Sequence, residues 1–208
     1  MRGRFITIEG IDGAGKTTLA TALRAELARE RPVELLREPG GVALSERVRD
    51  LVKDPALRCA ARAETLLYAA ARAQLVDERL RPLLDGGTWV LLDRFVDSSL
   101  AYQGAGRGLG VEQVALLNDF ATGGIEPDRT LLLRVQPSVG RARQRGRDEA
   151  PDRLEREAET FFATVAAAYD ELAVGEPQRI RVIDAAQPAE IVLDAALQAL
   201  ADLDSSRP

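Results

Sequence analysis

Short apolar segments of the chain alternate with longer segments in which apolar residues recur every three or four positions. The short segments predict five β-strands, at residues 5–9, 33–36, 89–92, 130–135 and 179–184. Residues 89–92 read Trp-Val-Leu-Leu, an unbroken apolar run typical of a strand that is buried on both faces of a parallel sheet.

The longer segments predict α-helices between these strands. In the first, Leu19, Leu23 and Leu27 recur every four residues and therefore share one face. The predicted helices cover residues 16–31, 44–52, 60–84, 111–122, 138–145, 154–174 and 189–203. This alternation predicts a three-layer α/β fold with a parallel sheet. Since no repeat or linker divides the chain, we expect one domain over residues 1–208, with a frayed tail at 204–208.

Composition excludes several classes of protein. The 208 residues are 46% hydrophobic and 29% charged, as in soluble globular proteins. Cys59 is the single cysteine and there is no histidine, which excludes a disulfide framework, a cysteine-based zinc site and histidine acid–base chemistry. The net charge of −5 argues against a protein that coats nucleic acid. No targeting signal and no run as long as a membrane span is visible, so we expect a cytoplasmic protein.

A phosphate-binding loop follows the first predicted strand. Residues 10–17, GIDGAGKT, match G-x-x-x-x-G-K-[ST] in full, between a strand and a helix. The glycines let the backbone N–H groups wrap around phosphate oxygens, and the helix dipole favours the anion. Lys16 is one of only two lysines beside 26 arginines, which indicates that a compact ammonium is needed at this position.

A second element of such sites is an acid at the end of a buried strand, and Asp93 fits it. We expect Lys16 to contact the β- and γ-phosphates, and Thr17 and Asp93 to hold Mg²⁺. Three classes bind a nucleoside triphosphate in this way: small-molecule kinases, GTP switches, and ATP-driven motors or binding modules. The guanine-reading box N-K-x-D is absent, because Asn118 is the only asparagine and Asp119 follows it.

Six segments together resemble the thymidylate kinase family, whose members phosphorylate dTMP to dTDP with ATP. They are EGIDGAGKTT (9–18), REPGG (37–41), YAAAR (68–72), DRF followed by SSLAYQG (93–104), DRLE (152–155) and DAAQP (184–188). The DRF…SSLAYQG block is the most specific, and the resemblance spans about residues 4–203. It implies the nucleoside-monophosphate-kinase version of the P-loop fold, with a mobile lid, and a homodimer.

The resemblance assigns a set of residues to the acceptor, dTMP. Tyr68 matches the aromatic residue on which thymine stacks, where the family more often has Phe, and Tyr102 matches a ring beneath the deoxyribose. The other implied dTMP contacts are Arg72, Ser99 and Gln103 at the base, Asp12 and Glu38 near the 3′-hydroxyl or the magnesium waters, and Arg37, Arg49 and Arg94 at the phosphate. Taken without the resemblance, Tyr68 is equally a core tyrosine and Arg49 equally a solvent-facing charge.

The resemblance assigns the remaining polar segments to ATP. The implied ATP contacts are Gly10, Ile11, Asp12, Gly13, Ala14, Gly15, Lys16, Thr17 and Thr18 of the loop, Arg143 and Arg145 of the lid, and Ala185 and Gln187 beside the adenine. The lid matches residues 141–156, which contain six arginines and four acids. Gly13 stands where one type of family member has a catalytic arginine, so the chain resembles the type whose catalytic arginines lie in the lid.

The implied catalytic residues are Lys16, Arg94, Arg147 and Arg153, with Arg153 the strongest lid candidate. The acceptor phosphate is already nucleophilic, so no general base is needed, in agreement with the absence of histidine. Three alternatives stay open on the residues alone: a different nucleoside monophosphate as acceptor, dUMP rather than dTMP, and a nucleotide-dependent binding module.

Overall fold

The computed structural model describes residues 2–146 and 152–205, with side chains up to residue 203. The strands are β1 (Phe5–Glu9), β2 (Val33–Arg37), β3 (Trp89–Asp93), β4 (Arg129–Arg134) and β5 (Ile180–Asp184). They form one parallel sheet in the order β2-β3-β1-β4-β5. Helices cover both faces, so the predicted three-layer α/β architecture is confirmed.

The helices connect the strands in the expected alternation. They are α1 (Lys16–Leu27), α2 (Ala43–Lys53), α3 (Ala61–Leu75), α4 (Arg81–Asp85), α5 (Val96–Ser99), α6 (Val111–Thr122), α7 (Pro137–Arg145), α8 (Glu159–Gly175) and α9 (Ala189–Ser205). Two π-helical segments, Val76–Leu80 and Leu100–Gly106, follow α3 and α5. None of the helices in the described part of the chain is long and apolar enough to cross a membrane.

The core lies on both faces of the sheet because the central strands are buried on both sides. Val90 and Leu92 of β3 pack with the α3–α4 side of the molecule, whereas Leu91 packs with α1. All three side chains are fully buried. The continuous apolar run of β3 therefore serves two separate apolar clusters, as the sequence predicts.

The sequence pattern misplaces several helix boundaries. Residues 60–84 do not form one regular helix, because Pro82 has no N–H group and Arg81 N donates to Val76 O in a π-helical turn. Helix α1 ends at Leu27 rather than near residue 31. Helix α8 begins at Glu159 rather than at residue 154, since the Asp152 carboxylate accepts the N–H groups of Leu154 and Glu155 in a turn, each at 3.0 Å.

The strand order places the functional loops side by side. The central strand β1 lies between β3 and β4, with Ile8 opposite Asp93 on one side and Leu131 on the other. The chain moves first to one side of β1 and later to the other, which opens a crevice at the carboxyl ends of the strands. The phosphate loop after β1 and the Asp93-Arg94 pair after β3 meet in this crevice.

Candidate active site

One cavity of about 830 Å³ opens at the carboxyl ends of β1, β2 and β3. Its walls contain phosphate-loop residues and every residue that the sequence predicts at dTMP. The predicted residues that line it are Asp12, Gly13, Gly15, Lys16, Thr17, Thr18, Arg37, Glu38, Arg49, Tyr68, Arg72, Asp93, Arg94, Ser99, Tyr102 and Gln103. The structure thus brings the predicted dTMP residues and part of the phosphate loop into a single space, whereas the predicted adenine and lid residues Arg143, Arg145, Ala185 and Gln187 do not line it.

The phosphate loop owes its shape to glycines with left-handed backbone angles. Gly13 has φ of +79°, and a Cβ at this position would lie 2.1 Å from the carbonyl oxygen of Gly140 in α7. An arginine at position 13 therefore cannot be accommodated without moving α7. This contact gives a physical reason for a loop without its own catalytic arginine.

Lys16 is buried at the start of α1. Its Nζ donates to the carbonyl oxygens of Gly10 and Ile11, at 3.1 and 2.9 Å. Burial, with the neighbouring charge of Arg94, lowers the pKa of Lys16 to about 8 against the opposing effect of Asp12. The carbonyl groups that accept from this ammonium are neutral, whereas a phosphate bound in the loop would give it a negatively charged partner.

Arg94 is a cation of the cavity that contacts both the phosphate loop and the acceptor side. Its guanidinium forms an ion pair with Asp12 and donates to Gly10 O at 3.2 Å and Ser98 Oγ at 3.0 Å. It also lies over the ring of Tyr102, whose hydroxyl donates to Asp12. Although burial opposes ionisation of Asp12, Arg94 and Lys16 lower the pKa of that carboxyl to about 2. We call Lys16, Asp93 and Arg94 the phosphate corner.

The backbone of Arg94 is unusual because it is the non-glycine residue with positive φ among those described, at 72°. Such a conformation costs a residue with a side chain about 1–2 kcal/mol. Its amide N–H donates to Ile8 O at 3.1 Å. The strained backbone therefore lies directly after β3, at the residue whose side chain lines the cavity.

A hydroxyl and a carboxylate meet beside the loop. Thr17 Oγ1 donates to Asp93 Oδ2 at 3.2 Å, which joins the first turn of α1 to the end of β3. Both are hard oxygen ligands of the kind that Mg²⁺ prefers. The predicted pair is thus in place to hold a cation at the β–γ end of a triphosphate.

Arg72 is buried on the far side of the cavity, and all of its N–H groups have protein partners. It donates to Glu38 from both Nε and Nη2, at 2.8 and 2.6 Å, and to Phe95 O at 2.8 Å. The remaining Nη1 group contacts Ser99 Oγ and Asn118 Oδ1. A thymine carbonyl would have to compete with these partners, so the assignment of Arg72 to the base stays a prediction.

Glu38 is held by Arg72 through one of its two carboxylate oxygens. Its Oε1 is buried without a hydrogen-bond partner among the described residues. Burial outweighs Arg72 and raises the pKa of Glu38 to about 7. A carboxyl group with a spare oxygen and a near-neutral pKa suits a ligand hydroxyl, which can donate to it.

The other predicted dTMP residues differ in how strongly they are held. Arg37 is exposed and pairs with Glu46, and Arg49 donates to Pro39 O at 2.9 Å. Tyr68 is half-buried beside the apolar residues of α2, and burial raises its pKa. All three side chains line the cavity.

The predicted lid arginines differ in their contacts. Arg143 donates twice to Ala185 O, at 3.1 Å each, so the lid helix reaches the loop that follows β5. In that loop Gln187 bonds to Asp184. Arg145 is exposed, and its guanidinium has no partner among the described residues. Arg147 lies outside the described residues.

Arg153 lies elsewhere than the sequence predicts. Its guanidinium pairs with Glu64 of α3 at 2.6 Å and donates to Val52 O at 2.9 Å, and it is not among the residues that line the cavity. Glu64 is fully buried and also accepts from Gln103 at 2.9 Å and from Arg107. We call Glu64, Gln103, Arg107 and Arg153 the Glu64 corner. In this structure the charge of Arg153 is neutralised by a carboxylate.

Sequence reasoning missed four buried polar residues that support the site: Glu9, Glu64, Asn118 and Tyr169. Glu9 is fully buried at the end of β1, where it accepts from Phe95 N at 2.7 Å and from Tyr169 OH at 2.8 Å. Burial and the nearby Asp97 raise its pKa. The sequence contains one signal for Glu9. An acid at the end of an apolar strand is expected to be buried, and a buried carboxylate needs hydrogen-bond partners.

A phosphate loop at the switch point of a parallel sheet, sharing one cavity with an arginine-lined second pocket, defines a P-loop kinase of the nucleoside-monophosphate class. Comparisons with known proteins agree. The family profile described as thymidylate kinase matches residues 8–196.

The relatives match over nearly their full lengths. A thymidylate kinase of Alkalilimnicola ehrlichii is 49% identical over 204 residues, which are 96% of this chain and 93% of that protein. One of Deinococcus radiodurans is 49% identical over 91% of this chain and 92% of its own. The crystal structure of thymidylate kinase from Ehrlichia chaffeensis has a TM-score of 0.81 and 30% identity, covering 97% of this chain and all of that one. The chain belongs to the thymidylate kinase family.

Proposed function

We propose that this chain carries out the reaction of its family, the transfer of the γ-phosphate of ATP to dTMP, through the residues of the cavity described above. It is an ATP-dependent phosphotransferase by its family membership. The observation that carries the residue assignments is that the predicted dTMP contacts line the same cavity as Lys16 and Thr17. Donor and acceptor phosphates can therefore meet within one cavity.

The phosphate corner performs the transfer in this proposal. Residues 10–18 hold the triphosphate, Lys16 neutralises its β- and γ-phosphates, and Arg94 holds the acceptor phosphate in line. Asp12 and Tyr102 keep the Arg94 guanidinium in place from two sides. The acceptor phosphate is itself the nucleophile, so positioning and charge neutralisation suffice.

Thr17 and Asp93 would hold Mg²⁺, since their oxygens are 3.2 Å apart. The bound ion supplies charge neutralisation at the β- and γ-phosphates. The acceptor base and sugar occupy the opposite end of the cavity, with Tyr68 and Tyr102 as aromatic surfaces and Ser99, Gln103 and Arg72 at the polar edge. Glu38 accepts from the 3′-hydroxyl, and Arg37 and Arg49 add positive charge near the phosphate.

The lid, residues 141–156, supplies further cations. Arg145 and Arg147 act at the transferring phosphate, while Arg143 and the loop with Ala185 and Gln187 border the adenine. Arg153 can reach the phosphates only after it leaves Glu64, so we assign it an anchoring role. A lid that closes over the donor also excludes water and limits wasteful hydrolysis of ATP.

A homodimer is the third part of the proposal. Helices α2, α3 and α6 pack side by side and expose apolar residues on their outer surface. Leu66 of α3 is 58% exposed, and Leu116 and Phe120 of α6 are 75% and 87% exposed. Large apolar side chains in one patch indicate a protein contact, and a second copy of the chain covers them by symmetry. We further propose that residues 1–208 act as one unit in the cytoplasm.

The direct test is an assay of the purified chain with ATP, Mg²⁺ and each nucleoside monophosphate in turn, with the diphosphate product separated and measured. We expect dTDP to form fastest from dTMP, with dUMP as the informative competitor because it lacks the methyl group. Equal rates with AMP, GMP or CMP would contradict the acceptor assignment. ATP binding without ADP release that depends on a monophosphate would instead indicate a binding module.

A further inference from the structure

The guanidinium of Arg94 can serve an acceptor phosphate only if the residue keeps its left-handed backbone conformation. The amide N–H groups that follow it are not held by regular helix bonds, since α5 begins only at Val96. A buried carboxylate takes their place. Glu9 Oε1 accepts from Phe95 N at 2.7 Å and from Ser98 N at 3.3 Å.

The same carboxylate also reaches the Arg94 side chain through one hydroxyl. Ser98 Oγ donates to Glu9 Oε2 at 2.6 Å and accepts from Arg94 Nη1 at 3.0 Å. Tyr169 of α8 donates to Glu9 Oε2 at 2.8 Å and contacts Ser98 Oγ at 2.9 Å. Glu9, Ser98 and Tyr169 therefore form one buried network with Arg94 at its open end.

We infer that Glu9 is a positioning residue for the acceptor-phosphate arginine: it holds the backbone after Arg94 and, through Ser98, the Arg94 guanidinium. Tyr169 supports Glu9 from α8. This inference rests on the proposed function for the role of Arg94, and it adds residues that lie behind the cavity rather than in contact with either nucleotide. Glu9 itself is fully buried and does not line the cavity.

The position of Glu9 explains why a carboxylate is required there. One oxygen serves two backbone N–H groups and the other serves two hydroxyl groups, so each oxygen acts as a double acceptor. Hydrogen bonds to a carboxylate are about twice as strong as neutral ones. Glutamine can replace Oε1 as the acceptor for the amides, but its NH₂ group cannot accept from the hydroxyls.

The test compares steady-state kinetics of Glu9→Ala, Glu9→Gln and Ser98→Ala with the wild type, at a temperature where each variant is folded. A displacement of a catalytic group by about 1 Å costs on the order of 10²-fold in rate. We expect Glu9→Ala to lower kcat/KM for dTMP by about that factor, and Ser98→Ala and Glu9→Gln by about tenfold each, because Gln keeps the amide contacts but loses those to the hydroxyls. The dissociation constant of ATP should stay within about twofold, because the phosphate loop is not held by Glu9.

Thr130→Val is the matched control. Thr130 Oγ1 makes buried hydrogen bonds to Thr7 in the same sheet and to Asp97 of α5, but none to Arg94, Glu9 or Ser98. We expect this variant to melt earlier and to keep wild-type kinetics when folded. If Glu9→Ala does not fold, Ser98→Ala and Tyr169→Phe provide the test. In each, the loss of kcat/KM for dTMP is compared with the change in the dissociation constant of ATP.

Three results would overturn the inference. One is a folded Glu9→Ala protein, or Ser98→Ala and Tyr169→Phe proteins, with wild-type kcat and dTMP KM. Another is an equal loss of ATP affinity, which would indicate collapse of the phosphate loop. The third is a Thr130→Val protein that loses as much activity as Glu9→Ala. Failure of the proposed function is separate and visible at once, since the wild-type chain would then form no dTDP.

Discussion

Two corners around the cavity both contain cations but place them differently: in the phosphate corner the cations line the cavity, and in the Glu64 corner they are turned towards a buried carboxylate. Lys16 and Arg94 line the cavity, although Arg94 also pairs with Asp12. Arg107 and Arg153 both pair with Glu64, which is fully buried. The number of arginines in a segment therefore does not measure its capacity to bind phosphate, because Arg107 and Arg153 are turned towards Glu64 and do not line the cavity.

The largest effect should come from Lys16→Met, which keeps the buried stem but removes the charge of the phosphate corner. We expect kcat to fall by about 10²-fold or more, as for other transition-state cation contacts. The fold should survive, because Lys16 makes only two hydrogen bonds, both to loop carbonyls. Turnover is measured together with circular dichroism, and a folded variant with near-normal turnover would remove Lys16 from the mechanism.

Two lid variants test the difference between the corners directly. Arg145 has no partner among the described residues, so Arg145→Ala should lower kcat by about tenfold or more and leave the melting temperature unchanged. Arg153→Ala breaks an ion pair with buried Glu64 and should lower the melting temperature by about 5 °C, with a smaller change in kcat. A stable Arg153→Ala protein with a large loss of kcat would restore Arg153 to the transferring phosphate.

A pH effect on ATP binding sharpens the account of the phosphate corner. The pKa of Lys16 is lowered to about 8, so the ammonium loses its proton as the pH rises through 8. ATP binds the charged form, and its dissociation constant should rise about threefold between pH 7.5 and 8.5, with proton uptake on binding. Calorimetry in two buffers of different ionisation enthalpy measures that proton. Lys16→Met should abolish the pH dependence, and a wild-type affinity that is flat across this range would contradict the assignment.

The smallest expected effect concerns the oligomeric state, where loss of the dimer would halve the mass of the particle in solution. Phe120→Lys places a charge in the apolar face of α2, α3 and α6, and sedimentation should show a monomer where the wild type shows a dimer. Val174→Lys is the control, because Val174 is also exposed, at 82%, but lies on α8. A wild-type monomer, or a Phe120→Lys dimer, would refute the proposed interface.

The phosphate corner could be predicted from the sequence because its signal is local. The glycines, Lys16 and Thr17 lie within one short motif, and Asp93 closes an apolar strand of the kind found in the interior of a parallel sheet. The order of strands then brings the two segments together. The phosphate loop has distant partners as well, since Arg94 contacts Gly10 and Asp12 and Gly13 lies against Gly140, but the motif is recognised without them.

The Glu64 corner could not be predicted in the same way. Glu64, Gln103, Arg107 and Arg153 come from three separate parts of the chain, and no spacing links them. Arginine is so frequent in this sequence that Arg107, which lies in a glycine-rich stretch, gives no signal of its own. The spacing of apolar residues also predicts helix over residues 154–158, where there is none. Apolar spacing contains no information about the Asp152 side chain, which accepts the backbone N–H groups that a helix would use.

The central claim is that cations lining the cavity carry out the transfer, whereas cations outside it that pair with the buried Glu64 hold the fold. Arg94→Ala and Arg107→Ala, assayed side by side for kcat, dTMP KM and melting temperature, test it most directly. We predict that Arg94→Ala loses about 10²-fold or more in kcat. Arg107→Ala should melt several degrees earlier and keep kcat within a few-fold when folded. The opposite pattern, with kcat lost at Arg107 and retained at Arg94, would contradict the account.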